Sequence, residues 1–370
     1  MSLRSGWWFS LLYAAIGAAG LTLSLASPTL LQVSTSKTAL RDMSGRSLSV
    51  QPPAQSVVTL GPVLADYITI DGGADHIVAT ARPNLNNSHE LIWAQLHNSP
   101  WRLPLTGMTV DPGDPEIYLK LQPDAVFSWA HLSGALRQVG LSSLIEIRFS
   151  SGDMKATKEK LRLIGKVAGN SDHTEQLIEQ WSQQIKEIRQ QIADAHPTVM
   201  RVAVLNGRKD AWWVAGGKGF YLNGNLALAG ARNAAEGQAA EKSSNDTLES
   251  LIQLDPDVIL LNTEPTEGAP RDLYSALGYD VLRAVRERRV YVMPRMEGCE
   301  LVDIPVQLEW MAEIFHPEVT HPALVSLART AFHRTYDYEL SDNQIDSILR
   351  MSENRGSAGY ARFEREKENR

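Results

Sequence analysis

Short apolar runs alternate with segments of helical period along the middle of the chain. The runs are rich in β-branched side chains and are bounded by Gly, Pro or Asp, which predicts strands. They span residues 56–60, 76–80, 124–128, 199–205, 257–261 and 289–292. Strands that alternate with helices are typical of parallel sheets. The pattern therefore predicts an α/β protein with two Rossmann-like lobes whose sheets are rich in parallel strands.

A single long helix is predicted between the two groups of strands. Residues 172–195 contain no Gly or Pro. Apolar side chains recur there at three- and four-residue steps, and they are Leu177, Ile178, Trp181, Ile185, Ile188 and Ile192. Such a helix spans about 36 Å. We expect it to join a first lobe at 56–171 to a second lobe at 196–316 as a rigid strut, which argues against large lobe closure.

The amino-terminal segment has the character of an export signal or a membrane anchor. Arg4 is the only charge in residues 1–26, and an apolar run ends in Ser-Leu-Ala at Ala26. Cleavage after Ala26 is expected, although twenty apolar residues can also span a bilayer as an uncleaved anchor. Residues 27–55 are rich in Ser, Thr and Pro and predict a tether. Either way, the body of the protein is expected outside the cytoplasm, in the periplasm.

The carboxyl-terminal segment, residues 317–370, is predicted to be a helical extension with a charged tail. Ser341 followed by Asp342 predicts the start of a short helix. Charged residues crowd together beyond Ser352, and we expect that part to be frayed and solvated.

Composition and charge exclude several classes of protein. With 43% hydrophobic and 21% charged residues, the chain is globular. Its net charge of −7 argues against a nucleic-acid partner, which needs a basic face. The single cysteine, Cys299, excludes an intrachain disulfide and a cysteine-rich metal site. Together with Met293 and Met296, Cys299 is expected to fill the core.

Enzyme motifs are not found in the sequence. The Gly-Gly-Lys-Gly run at residues 216–219 lacks the Ser or Thr of a phosphate-binding loop and predicts a turn. There is no Gly-x-Ser-x-Gly nucleophile motif, and no histidine pair has the spacing of a zinc hydrolase. The sequence predicts no catalytic residue, no cofactor and no resident metal ion.

One segment of the chain occurs twice. Residues 116–126 read Glu-Ile-Tyr-Leu-Lys-Leu-Gln-Pro-Asp-Ala-Val, and residues 249–259 read Glu-Ser-Leu-Ile-Gln-Leu-Asp-Pro-Asp-Val-Ile. In both copies Glu stands seven residues before Pro, and Pro-Asp ends a helix before a buried strand. Apolar residues three and five positions after Glu are expected to face a core. The repeat indicates that the two lobes are architectural copies.

These landmarks together resemble one family of transport proteins. The landmarks are residues 57–62, 119–127, 219–233, 254–259 and 284–292. In this order and spacing the chain is similar to the substrate-binding proteins of ABC importers for ferric siderophores, haem and cobalamin, over about residues 56 to 316. It differs where the family often has Thr-Glu and this chain has Ala65-Asp66, and in its longer carboxyl-terminal extension. The resemblance implies two α/β lobes, one connecting helix and no enzymatic activity.

The resemblance also implies a partner for the two repeated segments. Glu116 and Glu249 begin equivalent helices, where a carboxylate is already favoured by the helix dipole. In the family, acidic residues at these positions meet arginines of the membrane permease, one per lobe. An inner-membrane ABC permease with its ATPase is therefore the expected partner of a protein expected to act as a monomer.

Candidate ligand contacts lie in loops beyond the predicted strands, because ligands of open α/β sheets bind at the carboxyl ends of the strands. These loops are aromatic and basic, and they favour an anionic ligand. The candidates are Arg82, Trp129, Trp212, Trp213, Tyr221 and Arg295. Of these, Trp129 matches a cleft aromatic residue of the cobalamin-binding branch.

The sequence thus predicts an exported protein that captures a ferric siderophore or a related metal chelate between its lobes and delivers it to the permease. Haem remains an alternative, with Tyr118 or Tyr221 as the iron ligand, and so do cobalamin and an oxyanion. From another class, a membrane-anchored enzyme or a chaperone on the same scaffold also remains open.

Overall fold

Five short strands of mainly apolar residues form the sheet of the first lobe. This computed structural model describes residues 40–60, 63–81, 108–111, 114–148, 152–195, 197–209, 211–238, 247–263, 267–294, 299–318, 320–321 and 323–368. The strands are β1 (Val57–Leu60), β2 (Ile77–Ala81), β3 (Met108–Val110), β4 (Ala125–Trp129) and β5 (Leu144–Ile147). Their order is β3-β2-β1-β4-β5, and every pair is parallel. The carboxyl ends of all five strands therefore lie at one edge of the sheet.

The sheet of the second lobe has the same plan with one exception. Its strands are β6 (Met200–Arg208), β7 (Ala211–Ala215), β8 (Ala231–Asn233), β9 (Val258–Asn262) and β10 (Val290–Val292). The order is β10-β9-β6-β7, and β8 pairs in parallel with the first part of β6. Only β7 is antiparallel, because it returns in a hairpin directly after β6. The prediction of two lobes with parallel-rich sheets is confirmed.

Helices cover both sheets. Within the described residues they are α1 (Val63–Asp71), α2 (Pro115–Leu121), α3 (Gly134–Gln138), α4 (Met154–Ala168), α5 (Ser171–Ala195), α6 (Asn223–Leu228), α7 (Thr247–Leu254), α8 (Pro270–Tyr274), α9 (Arg283–Arg286), α10 (Glu300–Phe315), α11 (Leu324–Tyr336), α12 (Asp342–Ile348), α13 (Met351–Asn354) and α14 (Ala361–Glu368). A cluster of buried residues beneath α2 and α3 covers one face of the first sheet, and a matching cluster beneath α7 and α8 covers one face of the second. The opposite faces belong to one continuous core that runs through both lobes.

The predicted connecting helix is α5. It packs against α4 of the first lobe and α10, and its apolar face includes the buried Trp181 and Ile185. The indole Nε1 of Trp181 donates a hydrogen bond to the carbonyl of Glu300 at 3.1 Å. A helix held along its length in this way is suited to act as a strut.

The sequence repeat is also a structural repeat. Gln122 and Asp255, which precede the two Pro-Asp pairs, both have a left-handed backbone, with φ of 47° and 39°. The carboxylates of Asp124 and Asp257 each accept a hydrogen bond from a backbone amide at the start of their lobe's first strand, at 2.9 and 2.8 Å. Each Pro-Asp unit therefore ends a helix and fixes the register of the strand that follows.

One expectation about the repeat is wrong. Five positions after each Glu, Leu121 and Leu254 do pack against the core of their lobe. Three positions after it, Leu119 and Ile252 are each 51% exposed. Only one side of each short helix contacts its sheet, and the third position lies away from that side.

Residues 40–55 do not form a free tether. Val50 and Ala54 are buried, and the carboxylate of Asp42 accepts a hydrogen bond from the amide of Glu146 at 3.2 Å. The amide of Met43 donates to the carbonyl of Glu146 at 3.1 Å. Because β5 is an edge strand with backbone groups open on one side, this segment satisfies some of them.

The expectation of a frayed tail beyond residue 352 is also wrong. Tyr360 and Phe363 are fully buried, and Trp310 Nε1 donates to the Tyr360 hydroxyl at 3.0 Å. The carboxylate of Glu366 accepts hydrogen bonds from two amides in the first turn of α11, at 3.1 and 3.0 Å. The extension therefore packs against α10 and α11 as part of the fold.

Across the part of the chain that the structure describes, no helix has both the length and the apolar character of a bilayer span. The predicted export signal at residues 1–26 lies outside that part.

Candidate functional site

A cleft of about 490 Å³ lies at the carboxyl ends of β6 and β9. It is lined by the ends of these strands, by β7 and by the loop after β9. The lining residues are Asn206, Gly207, Arg208, Ala211, Trp213, Asn262, Thr263 and Glu267. The cleft thus occupies the position where open α/β sheets bind their ligands.

Two asparagines at the ends of neighbouring strands form the polar part of the cleft. Asn262 Nδ2 donates to Asn206 Oδ1 and to the hydroxyl of Tyr221, both at 2.8 Å. Burial raises the pKa of Tyr221 above its ordinary value, so its hydroxyl stays protonated at neutral pH. These three side chains hold one another in place and present amide groups to the cleft.

Trp213 lies across the backbone of β6 because residue 207 is glycine. A Cβ atom at Gly207 would come within 2.8 Å of the Trp213 ring. The glycine also has φ of 116°, a value that other residues rarely adopt. The glycine in the local sequence Asn-Gly-Arg therefore allows the Trp213 ring to pack against the backbone of β6, next to its strand partner Asn206.

The charges at the rim of the cleft are mixed. Arg208 is exposed and lines the cleft together with Glu267. Lys209, which follows Arg208 in the chain, lies 3.7 Å from the carboxylate of Asp272. Its side chain is therefore directed to α8, whereas Arg208 lines the cleft.

Trp212 lies on the opposite face of β7 from Trp213. It is only 6% exposed and packs with Leu251 and Leu273 in the cluster beneath α7 and α8. Successive residues of a strand point to opposite faces, so the two neighbours cannot share the cleft. Trp212 is therefore a core residue, and its prediction as a ligand contact is wrong.

Trp129 is the last residue of β4, at the carboxyl edge of the first sheet. It is 7% exposed and belongs to the continuous core, and its ring stacks near that of His131 with centroids 6.4 Å apart. The position agrees with the predicted role, but little of the side chain is accessible to a ligand. Arg82 and Arg295 lie outside the described residues.

Tyr118 is not placed to bind a haem iron. It is fully buried beneath α2, and its hydroxyl donates to the carbonyl of Asp111 at 2.9 Å. Burial also raises the pKa of Tyr118, which disfavours the phenolate that iron binds.

Glu116 and Glu249 are exposed at the first turns of α2 and α7. Each interacts with the side chain four residues later on its own helix. Lys120 Nζ lies 3.9 Å from Glu116, and Gln253 Nε2 lies 3.5 Å from Glu249. Both carboxylates are accessible to a partner.

The two lobes also meet directly through a pair of glycines. A Cβ atom on Gly152, which precedes α4, would lie 2.4 Å from the Cα atom of Gly224 in α6, and the converse holds as well. Only two residues without side chains permit this approach of the backbones. The contact fixes the spacing of the lobes at this point.

Sequence reasoning missed the two asparagines. Asn206 and Asn262 each follow an apolar run that ends in Leu, and each is the first polar residue after it. That coincidence in two neighbouring strands was the available signal. Asparagine is neither aromatic nor charged, so a search for aromatic and basic residues does not find this pair.

No group of three or more His, Cys, Asp and Glu side chains within the described ranges is arranged to hold a metal ion. Cys299 is buried, as predicted, and burial raises the pKa of its thiol, while Met293 is also in the core. Met296 lies outside the described residues.

Comparison with known proteins identifies the family. The profile of the periplasmic binding proteins matches residues 98–296. No curated protein matches the chain. Among solved structures, a periplasmic solute binding protein from Veillonella parvula is 21% identical with a TM-score of 0.67, covering 86% of this chain and 98% of its own.

Two further structures contain ligands. The molybdate periplasmic binding protein MolA of Haemophilus influenzae, bound to molybdate, is 17% identical with a TM-score of 0.64, over 82% of this chain and 99% of its own. CeuE of Helicobacter pylori, with nickel and histidine, is 16% identical with a TM-score of 0.64, over 84% and 98%. At these identities the likeness concerns the fold, and the family profile covers more than half of the sequence. The chain belongs to the periplasmic binding protein family.

Proposed function

We propose that this protein is exported to the periplasm, captures a metal chelate in the cleft at the ends of β6 and β9, and delivers it to an ABC permease. The observation that carries the proposal is the set of side chains in that cleft. An aromatic ring, two amides and an arginine converge there at the edge where the fold binds ligands. We propose that the protein acts as a monomer and catalyses no reaction.

The chemistry of the cleft favours a chelate over a bare ion. The Trp213 ring offers a flat apolar surface, and Asn206 and Asn262 offer hydrogen-bonding groups. Arg208 supplies a positive charge for carboxylate or catecholate oxygens. The bound ligands of the similar MolA and CeuE structures, molybdate and nickel with histidine, also contain a metal.

Among chelates, a ferric siderophore fits better than haem. Haem needs a side chain that ligates the iron, and Tyr118 is buried and hydrogen-bonded. The hydroxyl of Tyr221 is held by Asn262 and stays protonated at neutral pH. A siderophore already satisfies the coordination of its iron and needs only surface contacts from the protein.

Delivery is proposed to use Glu116 and Glu249. They are exposed, they lie at equivalent positions of the two lobes, and carboxylates attract cationic partners over several ångströms. MolA is described as the cognate binding protein of an ABC transporter, which supports a partner of the same kind here.

Capture is tested by following tryptophan emission of the purified protein. The probes are a ferric catecholate siderophore, a ferric hydroxamate siderophore, haem, cobalamin and molybdate. We expect one siderophore class to give a saturable quench at one equivalent. Saturation by haem or molybdate alone would change the ligand class, and turnover of a probe without stoichiometric binding would favour an enzyme.

Delivery is tested by uptake through the reconstituted cognate importer. We expect Glu116→Lys with Glu249→Lys to abolish uptake and to leave chelate affinity unchanged. Opposing a permease arginine with lysine replaces attraction by repulsion at both contacts. Full uptake by the folded double variant would refute the docking role of the two glutamates.

A further inference from the structure

The chain that follows β9 forms one wall of the cleft. Thr263 comes directly after Asn262, the last residue of β9, and both Thr263 and Glu267 line the cleft. Backbone groups beyond the end of a strand no longer belong to the sheet, so they need hydrogen-bond partners from elsewhere. The groups that hold Thr263 and Glu267 therefore help to set the shape of the site.

The wall is held at Glu267 by the second lobe itself. The amide of Lys209, in the turn after β6, donates a hydrogen bond to the carbonyl of Glu267 at 2.7 Å. A Cβ atom on Gly268 would lie 2.4 Å from the Trp212 ring, so the backbone there packs directly on a core side chain. Both contacts come from the hairpin of β6 and β7.

The wall is held at Thr263 by the carboxyl-terminal extension. Nη1 of Arg350, the residue before α13, donates a hydrogen bond to the carbonyl of Thr263 at 2.7 Å. Nε of the same guanidinium donates to the carboxylate of Glu353 at 2.8 Å. The Arg350 side chain is only 2% exposed, so water competes little for these charge-assisted bonds. Because the guanidinium is planar and rigid, the bond to Glu353 orients the nitrogen that binds Thr263.

Asn354 fixes α13 against the same edge of the second sheet. It lies one helical turn after Arg350 and is fully buried. Its side chain accepts a hydrogen bond from the amide of Val292 at 2.8 Å and donates one to the carbonyl of Val292 at 2.9 Å. Val292 is the last residue of β10, the strand that pairs with β9. The position of the Arg350 guanidinium relative to the end of β9 is therefore set by the sheet.

We propose that Arg350 is a positioning residue of the ligand cleft, which holds Thr263 and thereby the wall that follows β9. The inference rests on the proposed function and gives the carboxyl-terminal extension a part in ligand capture. Arg350 acts through the carbonyl of Thr263 and needs no contact with the ligand. It lies beyond residues 98–296, which the family profile matches.

This arrangement has a physical reason. Ordering a loop at the moment of binding lowers affinity, and a loop that is already held avoids that cost. Without Arg350, the Thr263 carbonyl loses a charged donor and the wall is held at Glu267 and Gly268 alone. We expect the ligand to bind more weakly, mainly because it dissociates faster.

The test uses four variants of the full chain. Arg350→Met removes both hydrogen bonds of the guanidinium. Arg350→Lys keeps the charge, but its single nitrogen must serve both Glu353 and Thr263. Glu353→Gln is the control for stability, because it removes the charge of the partner and leaves the donor to Thr263 in place. Arg355→Met makes the same chemical change as Arg350→Met at a nearby exposed position.

For each variant, emission titration and stopped-flow mixing measure the affinity and dissociation rate of a ferric catecholate and a ferric hydroxamate siderophore. Thermal denaturation measures stability, and hydrogen exchange without ligand follows the peptide that contains Thr263 and Glu267. We expect roughly tenfold weaker binding for Arg350→Met and a smaller loss for Arg350→Lys, both with faster exchange of that peptide. Glu353→Gln should lower the melting temperature and keep the affinity, and Arg355→Met should change neither.

The possible failures are distinguishable. Affinity and exchange of Arg350→Met equal to those of Arg355→Met would overturn the inference and leave the proposed function intact. A loss of affinity in Glu353→Gln as large as in Arg350→Met would assign the effect to general stability and also overturn it. Binding of neither siderophore by the wild type would overturn the proposed function, and unchanged exchange in both Arg350 variants would then overturn the inference as well. If Arg350→Met does not fold, Arg350→Lys supplies the same comparisons.

Discussion

Trp212 and Trp213 show how adjacent residues of one strand take different roles. Trp213 lines the cleft, and we expect Trp213→Ala to weaken chelate binding without changing stability. An aromatic surface beneath a ligand contributes on the order of 1–2 kcal/mol, or roughly tenfold in affinity. Emission titration and urea denaturation of the same preparation measure both quantities. Unchanged affinity would place the ligand elsewhere.

For Trp212→Ala we expect the opposite result. Trp212 is buried among apolar residues, and truncating a buried aromatic side chain costs about 3–5 kcal/mol of unfolding free energy. The midpoint of urea denaturation should fall clearly below that of Trp213→Ala. Equal stability of the two variants would show that Trp212 is not a core residue.

Residue by residue, the sequence predicted the edge of the sheet at which the cleft lies better than the side chains that line it. The predicted strands end within three residues of the observed ones. Trp213 accordingly lines the cleft, and Tyr221 is hydrogen-bonded to Asn262, which lines it. The face of a short strand depends on its partners, however, and β7 was not recognised as a strand. The sequence alone therefore does not show that Trp212 faces the core and that Asn206 faces the cleft.

Among the elements, α14 gives the clearest test of packing. Phe363 is fully buried, so Phe363→Ala is expected to lower the unfolding free energy by about 3–5 kcal/mol. The control is Arg365→Ala, an exposed position on the same helix. Thermal denaturation of the two variants and the wild type is sufficient. Equal melting temperatures would restore the interpretation of a frayed tail.

A buried glutamate on α10 should make stability depend on pH. Glu309 is 2% exposed, and its Oε1 has no hydrogen-bond partner among the residues described. Burial raises the pKa of Glu309 to about 8, with further contributions from the charges of Glu313 and Glu366. In the folded state Glu309 therefore keeps its proton up to about pH 8, whereas in the unfolded state it loses the proton near the ordinary pKa of glutamate. Stability should fall as pH rises from about 5 to about 8, by on the order of 3 kcal/mol.

Glu309→Gln should remove the part of that pH dependence that Glu309 contributes, because the amide does not titrate. The neighbouring Glu313, whose pKa burial raises to about 7, should keep the rest. Glu309 lines a groove between α5 and α11. The control is Glu179→Gln, which changes an exposed carboxylate that lines the same groove. Urea denaturation at pH 5 and pH 8 compares the three proteins. A wild type as stable at pH 8 as at pH 5 would contradict the assignment.

At the level of elements, the central strands and α5 were predictable from the sequence. Buried strands are continuous apolar runs, and a long amphipathic helix repeats its apolar residues every three or four positions. β3, β5, β7 and β8 are short or pair on one side only, and their sequences carry little signal. The segment beyond residue 352 was misjudged because its charged residues outnumber its apolar ones. Burial of Phe363 depends on the packing of α14 against α11, which no local pattern reveals.

Across the whole molecule, a buried ion triad ties the first lobe to the start of α10. Lys160 Nζ lies 2.5 Å from Asp66 Oδ2 and 3.2 Å from Glu300 Oε1. Burial would lower the pKa of Lys160, but the two carboxylates outweigh it and hold the pKa above its ordinary value. Together with the bond from Trp181 to Glu300, the triad resists motion of one lobe against the other.

Lys160→Met leaves the two carboxylates facing each other without a cation. Removing one partner of a buried ion pair costs about 3–5 kcal/mol, and we expect a loss of that size in urea denaturation. The control is Lys155→Met on the same helix, whose lysine is exposed. A Lys160→Met variant as stable as the control would show that the triad does not stabilise the fold.

The central claim is that one chelate binds per protein in the cleft formed by the ends of β6 and β9. Native mass spectrometry of the protein with a ferric siderophore measures this directly, in the wild type and in Asn206→Ala with Asn262→Ala. We predict a single complex of one protein and one ferric siderophore in the wild type, largely lost in the folded double variant. An undiminished complex in that variant, or no complex with either a catecholate or a hydroxamate siderophore, would contradict the account.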